Sequence, residues 1–317
     1  MLTLLAVAAC LVVLGFAIAN AAPPSTAERA AAQAQVDRQL SDPMFVDQLE
    51  QCRAAVAAGG SDAWPADMDC DENMLPRVEW YLGWSPPEFI DTFESTLLGV
   101  TMLLAAALVV AGVTFAGADW SSGTIGTQLL FQPRRWRVFG NKVVALAAWS
   151  ALVAAVVAAL AWLVSYWMAA KWGSTALLDY DDDGTPIAVT TADLIGDAVR
   201  AVLLVVGAAT GGFGLAMLFR SSLAAVGLLA GYSLVGEAIL RGLFPGVEPY
   251  LLSTRVLAWL QGPYRIYAYP SSCGMDGAPC EPVVTTIGVT GGGVFLLALL
   301  AVVVTAAAVL FQRRDVT

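Results

Sequence analysis

The stretch Asp119–Lys142, DWSSGTIGTQLLFQPRRWRVFGNK, lies between two apolar runs, 97–117 and 143–170, and holds four of the sixteen basic residues of a 317-residue chain. Crossing a hydrocarbon core of about 30 Å takes roughly 20 apolar residues as helix, so each flanking run is long enough to span a bilayer. Four further runs have the same character: 1–22, 198–219, 222–243 and 285–311. Backbone amides in lipid must find partners within their own segment, and runs rich in Ala, Leu and Val do so as helices. The composition agrees, with 58% hydrophobic and 13% charged residues, against about one half and one quarter in soluble domains. The expected fold class is an all-α integral membrane protein with six transmembrane helices.

Basic residues near span ends set orientation, because they stay on the cytoplasmic side. Arg134, Arg135, Arg137 and Lys142 face only Asp119 in their connection, Arg220 sits at the next turn, and Arg313 and Arg314 lie in the tail. These parts, and with them both termini, are expected in the cytoplasm. The acidic connections 23–93 and 171–193 are then external and carry most of the net charge of −10, which argues against nucleic acid as a partner. The organisation reads as a first transmembrane helix at 1–22, an extracytoplasmic loop at 23–96, and a five-helix region at 97–317 that contains the cytoplasmic segment 118–142. Segment 1–22 ends in Ala19-Asn20-Ala21, a cleavage-like pattern, but has no basic n-region and reads as a retained span.

The external loops show some order of their own. Val36, Leu40, Phe45 and Leu49 recur at near-helical spacing within 26–57, which predicts one or two helices in an external cap. Trp80, Tyr81, Trp84 and Phe89 read as an interfacial aromatic belt. Cys52 and Cys70 fall in the first loop and Cys273 and Cys280 in the last. An oxidising exterior permits disulfides, and the simplest pairing is Cys52 with Cys70 and Cys273 with Cys280, one of three connectivities. Leu251–Leu260 is apolar but too short to cross, so a re-entrant helix is expected before the last span. Gly207 with Gly211, and Gly227 with Gly231, have the four-residue spacing of close helix packing.

Some chemistry is excluded outright. The chain has no histidine, so no histidine triad or histidine zinc site can be assembled from it. It also lacks a phosphate-binding loop of the G-x-x-x-x-G-K-[ST] type, so it is not expected to be an enzyme that hydrolyses ATP by that route. Glu237 is the one acid well inside a span, with Arg241 one turn on, and the two are expected to pair within the helix or to mark a substrate or proton path. Asp179, Asp181 and Asp183, followed by Gly184, have the 1-3-5-6 spacing of a calcium loop. Thr190 stands where a bidentate Glu would complete it, which leaves a solvated acidic hairpin as the alternative.

The opening stretch holds more than charge. Asp119, Ser121 and Ser122 are good N-cap residues, so a helix is expected to start at Gly123-Thr124 with Ile125, Leu129 and Leu130 on an apolar side. Pro133 stops that helix and suits the first turn of the next, with Lys142 leading into the third span. The series Asp119, Gly123, Thr124, Leu129, Leu130, Pro133, Arg134 or Arg135, and Lys142 resembles the signature region of type-2 permeases of ATP-binding-cassette (ABC) exporters. The six-span arrangement fits the same family.

The resemblance implies a transporter subunit, not an enzyme, that dimerises with itself or with a paired permease in the cell membrane. It would couple through 118–142 to a separate cytoplasmic ABC ATPase, which binds ATP and magnesium; no cofactor is expected on this chain apart from the calcium reading. Asp119 stands where Glu is commoner, the first external loop is longer than in the simplest members, and Met1 opens directly in apolar sequence where such permeases carry a basic amphipathic helix. Two other readings are a membrane sensor or assembly protein with ligand-binding external loops, and a secondary transporter, which the scarcity of buried charge disfavours.

Overall fold

The computed structural model describes residues 2–61, 63–132, 134–180, 185–268 and 282–313. Helix α1 (Leu2–Ala21) is followed by a cap of four helices, α2 (Thr26–Leu40), α3 (Pro43–Ala57), α4 (Cys70–Met74) and α5 (Val78–Leu82). Next come α6 (Phe89–Ser121), the short α7 (Thr124–Phe131) and α8 (Arg135–Trp172), a hairpin of β1 (Leu178–Tyr180) and β2 (Pro186–Ala188), and α9 (Thr191–Phe219). Helix α10 (Ser222–Gly231), a π-helical turn at Tyr232–Gly236 and α11 (Glu237–Leu243) form one continuous segment. After a 3₁₀ turn, α12 (Leu252–Leu260) leads into a second hairpin, β3 (Tyr264–Ala268) and β4 (Val283–Ile287), and the chain closes with α13 (Val289–Arg313).

Among the described residues, six segments are long and apolar enough to cross a membrane: α1, α6, α8, α9, Ser222–Leu243 and α13. The chain is thus built as a multi-pass membrane protein, and mostly of helix. Two expected spans run well past their expected starts. Helix α6 begins at Phe89, not at 97, and α8 begins at Arg135, not at 143. With a rise of 1.5 Å per residue, the 33 residues of α6 and 38 of α8 reach about 50 and 57 Å, beyond any hydrocarbon core. The last span is displaced the other way. Val283 to Ile287 is a β-branched run, VVTTI, and pairs antiparallel with Tyr264–Ala268, so helix starts only at Val289. The two hairpins qualify the all-α expectation, although both lie outside the six segments.

The bundle is organised around α6 and α9. Lipid tails are as apolar as leucine, so helices in a membrane gain from packing and not from desertion of water, and close backbone approach matters most. A Cβ on Gly112 would stand 2.1 Å from the Ala209 carbonyl oxygen, and one on Gly212 would stand 2.3 Å from that of Val109. Leu104, Leu108, Val113, Val205 and Phe213 fill the seam around this crossing and are fully buried. The glycines expected to make such contacts do not. Gly207 and Gly211 have only Leu300 nearby, at 3.7 Å, and Gly227 and Gly231 face open space.

At one end of the bundle the aromatic belt is partly core. Phe89 is buried and meets Trp162 edge-on at 5.3 Å and Tyr166 at 5.8 Å, with Phe93 against the same tryptophan at 5.1 Å. The cap sits at this end, tied to α1 by the Trp84 indole donating to the Ala21 carbonyl at 3.1 Å. Helix α2 opens with a reciprocal capping box between Ser25 and Glu28. Cys52 and Cys70 form a disulfide across α3 and α4, packed with Leu49, Trp64 and Met74. Cys273 and Cys280 lie outside the described residues, and Cys10 is a buried free thiol within the bundle.

Two outcomes follow from this packing. Gly112→Val or Gly212→Val forces α6 off α9 and should lower stability by roughly 1–3 kcal/mol, read as thermal unfolding in detergent, whereas Gly207→Ala should leave the transition in place. Reduction of Cys52–Cys70 removes the cross-link from an 18-residue separation, for which a loss of about 3 kcal/mol is expected. Limited proteolysis should then cut within 43–75 while the six long helices stay protected.

Candidate functional site

At the opposite end, α6, α7 and α8 meet in the stretch Asp119–Lys142. Helix α6 does not stop at Ala118 but carries Asp119 in its last turn, and the Ser121 and Ser122 hydroxyls donate back to the Ala118 carbonyl at 3.1 and 2.7 Å. The expectation that these three residues cap α7 is therefore overturned: the hydroxyls are used within α6. Gly123 precedes α7 instead, in the left-handed region at φ 68°, with no side-chain cap. That backbone conformation costs any residue with a Cβ more, which accounts for a glycine at this turn.

Placed inside α6, the Asp119 carboxylate is free for tertiary contacts. One oxygen accepts from the Thr124 hydroxyl at 3.2 Å, and the other pairs with the Lys142 ammonium from α8. The side chains are only 13% and 15% exposed, so this pair is shielded in a way that surface ion pairs are not. Lys142 also lies 5.8 Å from the Phe115 ring centre. The pair closes the segment 120–141 into a loop whose two ends are fixed.

Trp120, beside it, is a second fixed point that sequence reasoning missed. Its indole N–H points to the Met217 sulfur at 3.2 Å, its ring meets Phe311 edge-on at 6.4 Å, and the Arg220 guanidinium lies over it at 4.7 Å. Arg220 itself holds the left-handed conformation that ends α9, at φ 54°. Phe139 of α8 joins the same group, 5.5 Å from Phe213 and 6.1 Å from Phe311. Arg135 reaches the Phe311 carbonyl at 3.4 Å. The 118–142 connection, the α9–α10 turn and the end of α13 thus share one end of the bundle, and Arg134, Arg135, Lys142, Arg220 and Arg313 gather there. The only sequence signal for Trp120 was an aromatic next to the acid, which alone decides nothing.

Helix α7 is split in its burial. Ile125 is 2% exposed and anchors in the core cluster, whereas Leu130 and Phe131 are 83% and 89% exposed. The apolar residues expected along α7 are thus divided between a buried Ile125 and an exposed Leu130. Leu129 belongs to α7, Arg134 precedes α8 as its N-cap without a side-chain bond, and Pro133 lies outside the described residues. Trp136 adds another exposed ring, with Arg137 5.5 Å over it. The result is an apolar tip with basic flanks, held at its base by Asp119, Thr124, Lys142 and Ile125.

The remaining candidates are dispersed. Glu237 does not pair with Arg241. Its carboxylate accepts from the Ser253 amide at 2.9 Å, while Tyr232 takes the Leu252 amide at 3.4 Å and Arg241 faces Glu248 at 3.6 Å. The π turn places Tyr232 and Glu237 on the same side, so the start of α12 is capped from the preceding segment. Helix α12 lies against a glycine notch in α13: a Cβ on Gly292 would stand 2.8 Å from the Arg255 carbonyl, and one on Gly293 2.3 Å from the Trp259 ring. Trp259 also donates to the Arg200 carbonyl at 2.9 Å. Asp179 lies in β1 opposite Ile187, while Asp181 and Asp183 fall outside the described residues. Among the described residues no group of three His, Cys, Asp or Glu is placed to hold a metal ion.

No family model, curated protein or solved structure matches the chain.

The shielded pair gives a direct measurement. Lys142→Met leaves Asp119 without its cation in a site with little water, and Asp119→Asn does the converse; each should cost roughly 3 kcal/mol. The double variant should lose less than the sum, since neither charge is then stranded, and a double-mutant cycle on detergent-solubilised protein reads the difference.

Proposed function

We propose that the chain is the permease subunit of an ABC exporter of the type-2 kind, set in the cell membrane with both termini and the basic end in the cytoplasm. In this reading α7 docks a separate ATPase subunit, which carries ATP and magnesium. Two permeases, identical or paired, enclose the substrate path, and α12 is the short re-entrant helix before the last span. The observation that carries it is the form of α7: an exposed apolar tip, Leu130 and Phe131, fixed at its base to two long helices through Asp119, Thr124 and Lys142. A free apolar pair beside arginines is what a partner with an apolar pocket and acidic rim would cover.

The mechanics follow from the same contacts. Force on Leu130 and Phe131 passes through α7 to the Asp119–Lys142 pair, and so to α6 and α8 together. These helices run the full length of the bundle, so a displacement at the docked end need not be absorbed in a loop. The sequence stretch resembles the permease signature at Asp119, Gly123, Thr124, Leu129, Leu130, Pro133, Arg134 or Arg135, and Lys142, and of these Asp119, Thr124 and Lys142 form the base of the tip.

The test is co-expression with candidate ABC ATPase subunits from the same genome. Leu130→Asp with Phe131→Asp, and separately charge reversal at Arg134 and Arg135, should abolish co-purification and lower ATPase stimulation at least tenfold while membrane insertion persists. Undiminished association in both variants would remove α7 from the interface and with it this reading.

A further inference from the structure

Arg255 lies on α12, which the Gly292-Gly293 notch fixes against the first turns of α13. Among the described residues no carboxylate pairs with it. Its Nη1 donates to the Gly291 carbonyl at 3.3 Å, its Nε is buried with no acceptor, and Nη2 has no acceptor among the described residues. The Tyr250 and Phe295 rings stand 5.8 and 5.3 Å from the guanidinium. Two rings and a carbonyl hold a guanidinium and keep water from part of it, but they do not cancel its charge. The two acids that precede it in the chain are already engaged, Glu237 by the Ser253 amide and Glu248 by Arg241 at 3.6 Å. The first turn of α13 carries no acidic residue, so the positive end of that helix adds to the same sign.

The level of this cation in the bundle narrows the choice of anion. From Gly291 to Arg313 is twenty-two residues of α13, about 33 Å at 1.5 Å per residue, against a hydrocarbon core of about 30 Å. The last turn of α13 belongs to the basic end, where Arg135 reaches the Phe311 carbonyl. Arg255 therefore stands at the opposite boundary of the apolar layer, the depth of lipid phosphates. Val294, Ala298 and Val302 follow Gly291 at helical spacing on one face of α13, and all three are exposed. That face offers hydrocarbon contact directly below the guanidinium. Arginine suits phosphate, because its planar fork meets two oxygens at once and it is weakly hydrated.

We infer that Arg255 and the first turns of α13 form a binding site for an anionic phospholipid of the leaflet at the cap end, its phosphate on the guanidinium and one acyl chain along Val294, Ala298 and Val302. An anionic lipid is favoured over a zwitterionic one because no free acid here meets a headgroup ammonium. The site uses neither α7 nor an ATPase, so it does not rest on the exporter reading. An arginine that merely snorkels to a membrane boundary keeps its head in water. Arg255 is instead folded onto two rings and a carbonyl of its own chain, which gives the charge one fixed place.

The experiment uses the full chain in phosphatidylcholine nanodiscs without any ATPase, doped with phosphatidylglycerol that carries a diazirine near its glycerol, and maps the photolabelled peptides by mass spectrometry. Labelling is expected on α12 and the first half of α13, displaced by unlabelled phosphatidylglycerol but not by diacylglycerol or millimolar inorganic phosphate. Arg255→Met should lower this labelling at least tenfold and leave that of α7 unchanged, and its unfolding temperature identifies any loss caused by misfolding. Gly291→Glu supplies a carboxylate from within the chain, since a Cβ there would stand 3.6 Å from Arg255 Nη1 and 3.8 Å from Ile287, in ordinary contact. It should abolish the labelling and raise the unfolding temperature, whereas Gly291→Gln, of the same size without the charge, should keep the labelling. Displacement by diacylglycerol or by inorganic phosphate, wild-type labelling in folded Arg255→Met, or equal labelling in Gly291→Glu and Gly291→Gln overturns the assignment.

Discussion

The close passage of α6 past α9 is the constraint from which the rest of the bundle takes its position. Two glycines, Gly112 and Gly212, let each helix touch a carbonyl of the other, and no larger residue fits at either place. In lipid this contact cannot be replaced by a general preference for burial, because lipid and leucine are alike to a leucine. Helix α8 packs on both partners. The Ser222–Leu243 segment and α13, with only 6% and 11% of their apolar windows buried, are laid on the outside. The inner pair is fixed by shape, whereas the outer segments present most of their apolar surface outward.

Charge is handled differently at the two ends. At the basic end the acid and base are paired and shielded, with the Phe115 ring near the lysine, and Trp120, Phe139 and Phe311 form an aromatic group beside them. At the cap end Glu88 and Asp91 are left open beside a cavity. The contrast makes the basic end a mechanical joint and the cap end a place with unspent electrostatic capacity. Toward the cap end, α12 is held by the Glu237 carboxylate, by the Arg200 carbonyl that accepts from its own Trp259, and by the Gly292-Gly293 notch. Its position depends on contacts far apart in the chain.

What could be read in advance follows from range. Six apolar segments, the two cap helices and the break at Gly123-Thr124 depend on residues within a few turns of each other, and composition and turn chemistry disclose them. The disulfide between Cys52 and Cys70 was legible as the shortest closure. The cap on α7 was misread because Asp119, Ser121 and Ser122 are equally at home at the end of one helix or the start of another; the lysine 23 residues on decides it. Gly207 and Gly211 had the right spacing but the wrong side of α9, since spacing does not say which side meets α6. The β3–β4 hairpin was hidden because VVTTI continues directly into an apolar helix and reads as part of it. Glu237 was expected to pair with Arg241 or to mark a substrate or proton path, while across the π turn its carboxylate meets the Ser253 amide of α12.

The position of the α6–α9 crossing also sets a ratio. From Gly112 to Asp119 is seven residues and from Gly112 back to Phe89 is twenty-three, so at 1.5 Å per residue the arms of α6 are about 10 and 35 Å long. The long arm is packed along its length, since Phe93 and Leu97 share a buried cluster with Leu194 and Ala201 of α9 and the Phe89 amide is bonded to the Ser174 carbonyl. The short arm ends in the shielded ion pair to α8. One glycine thus divides α6 into a short arm tied to α8 by charge and a long arm tied to α9 by packing, so a displacement of either end has to carry a neighbouring helix with it.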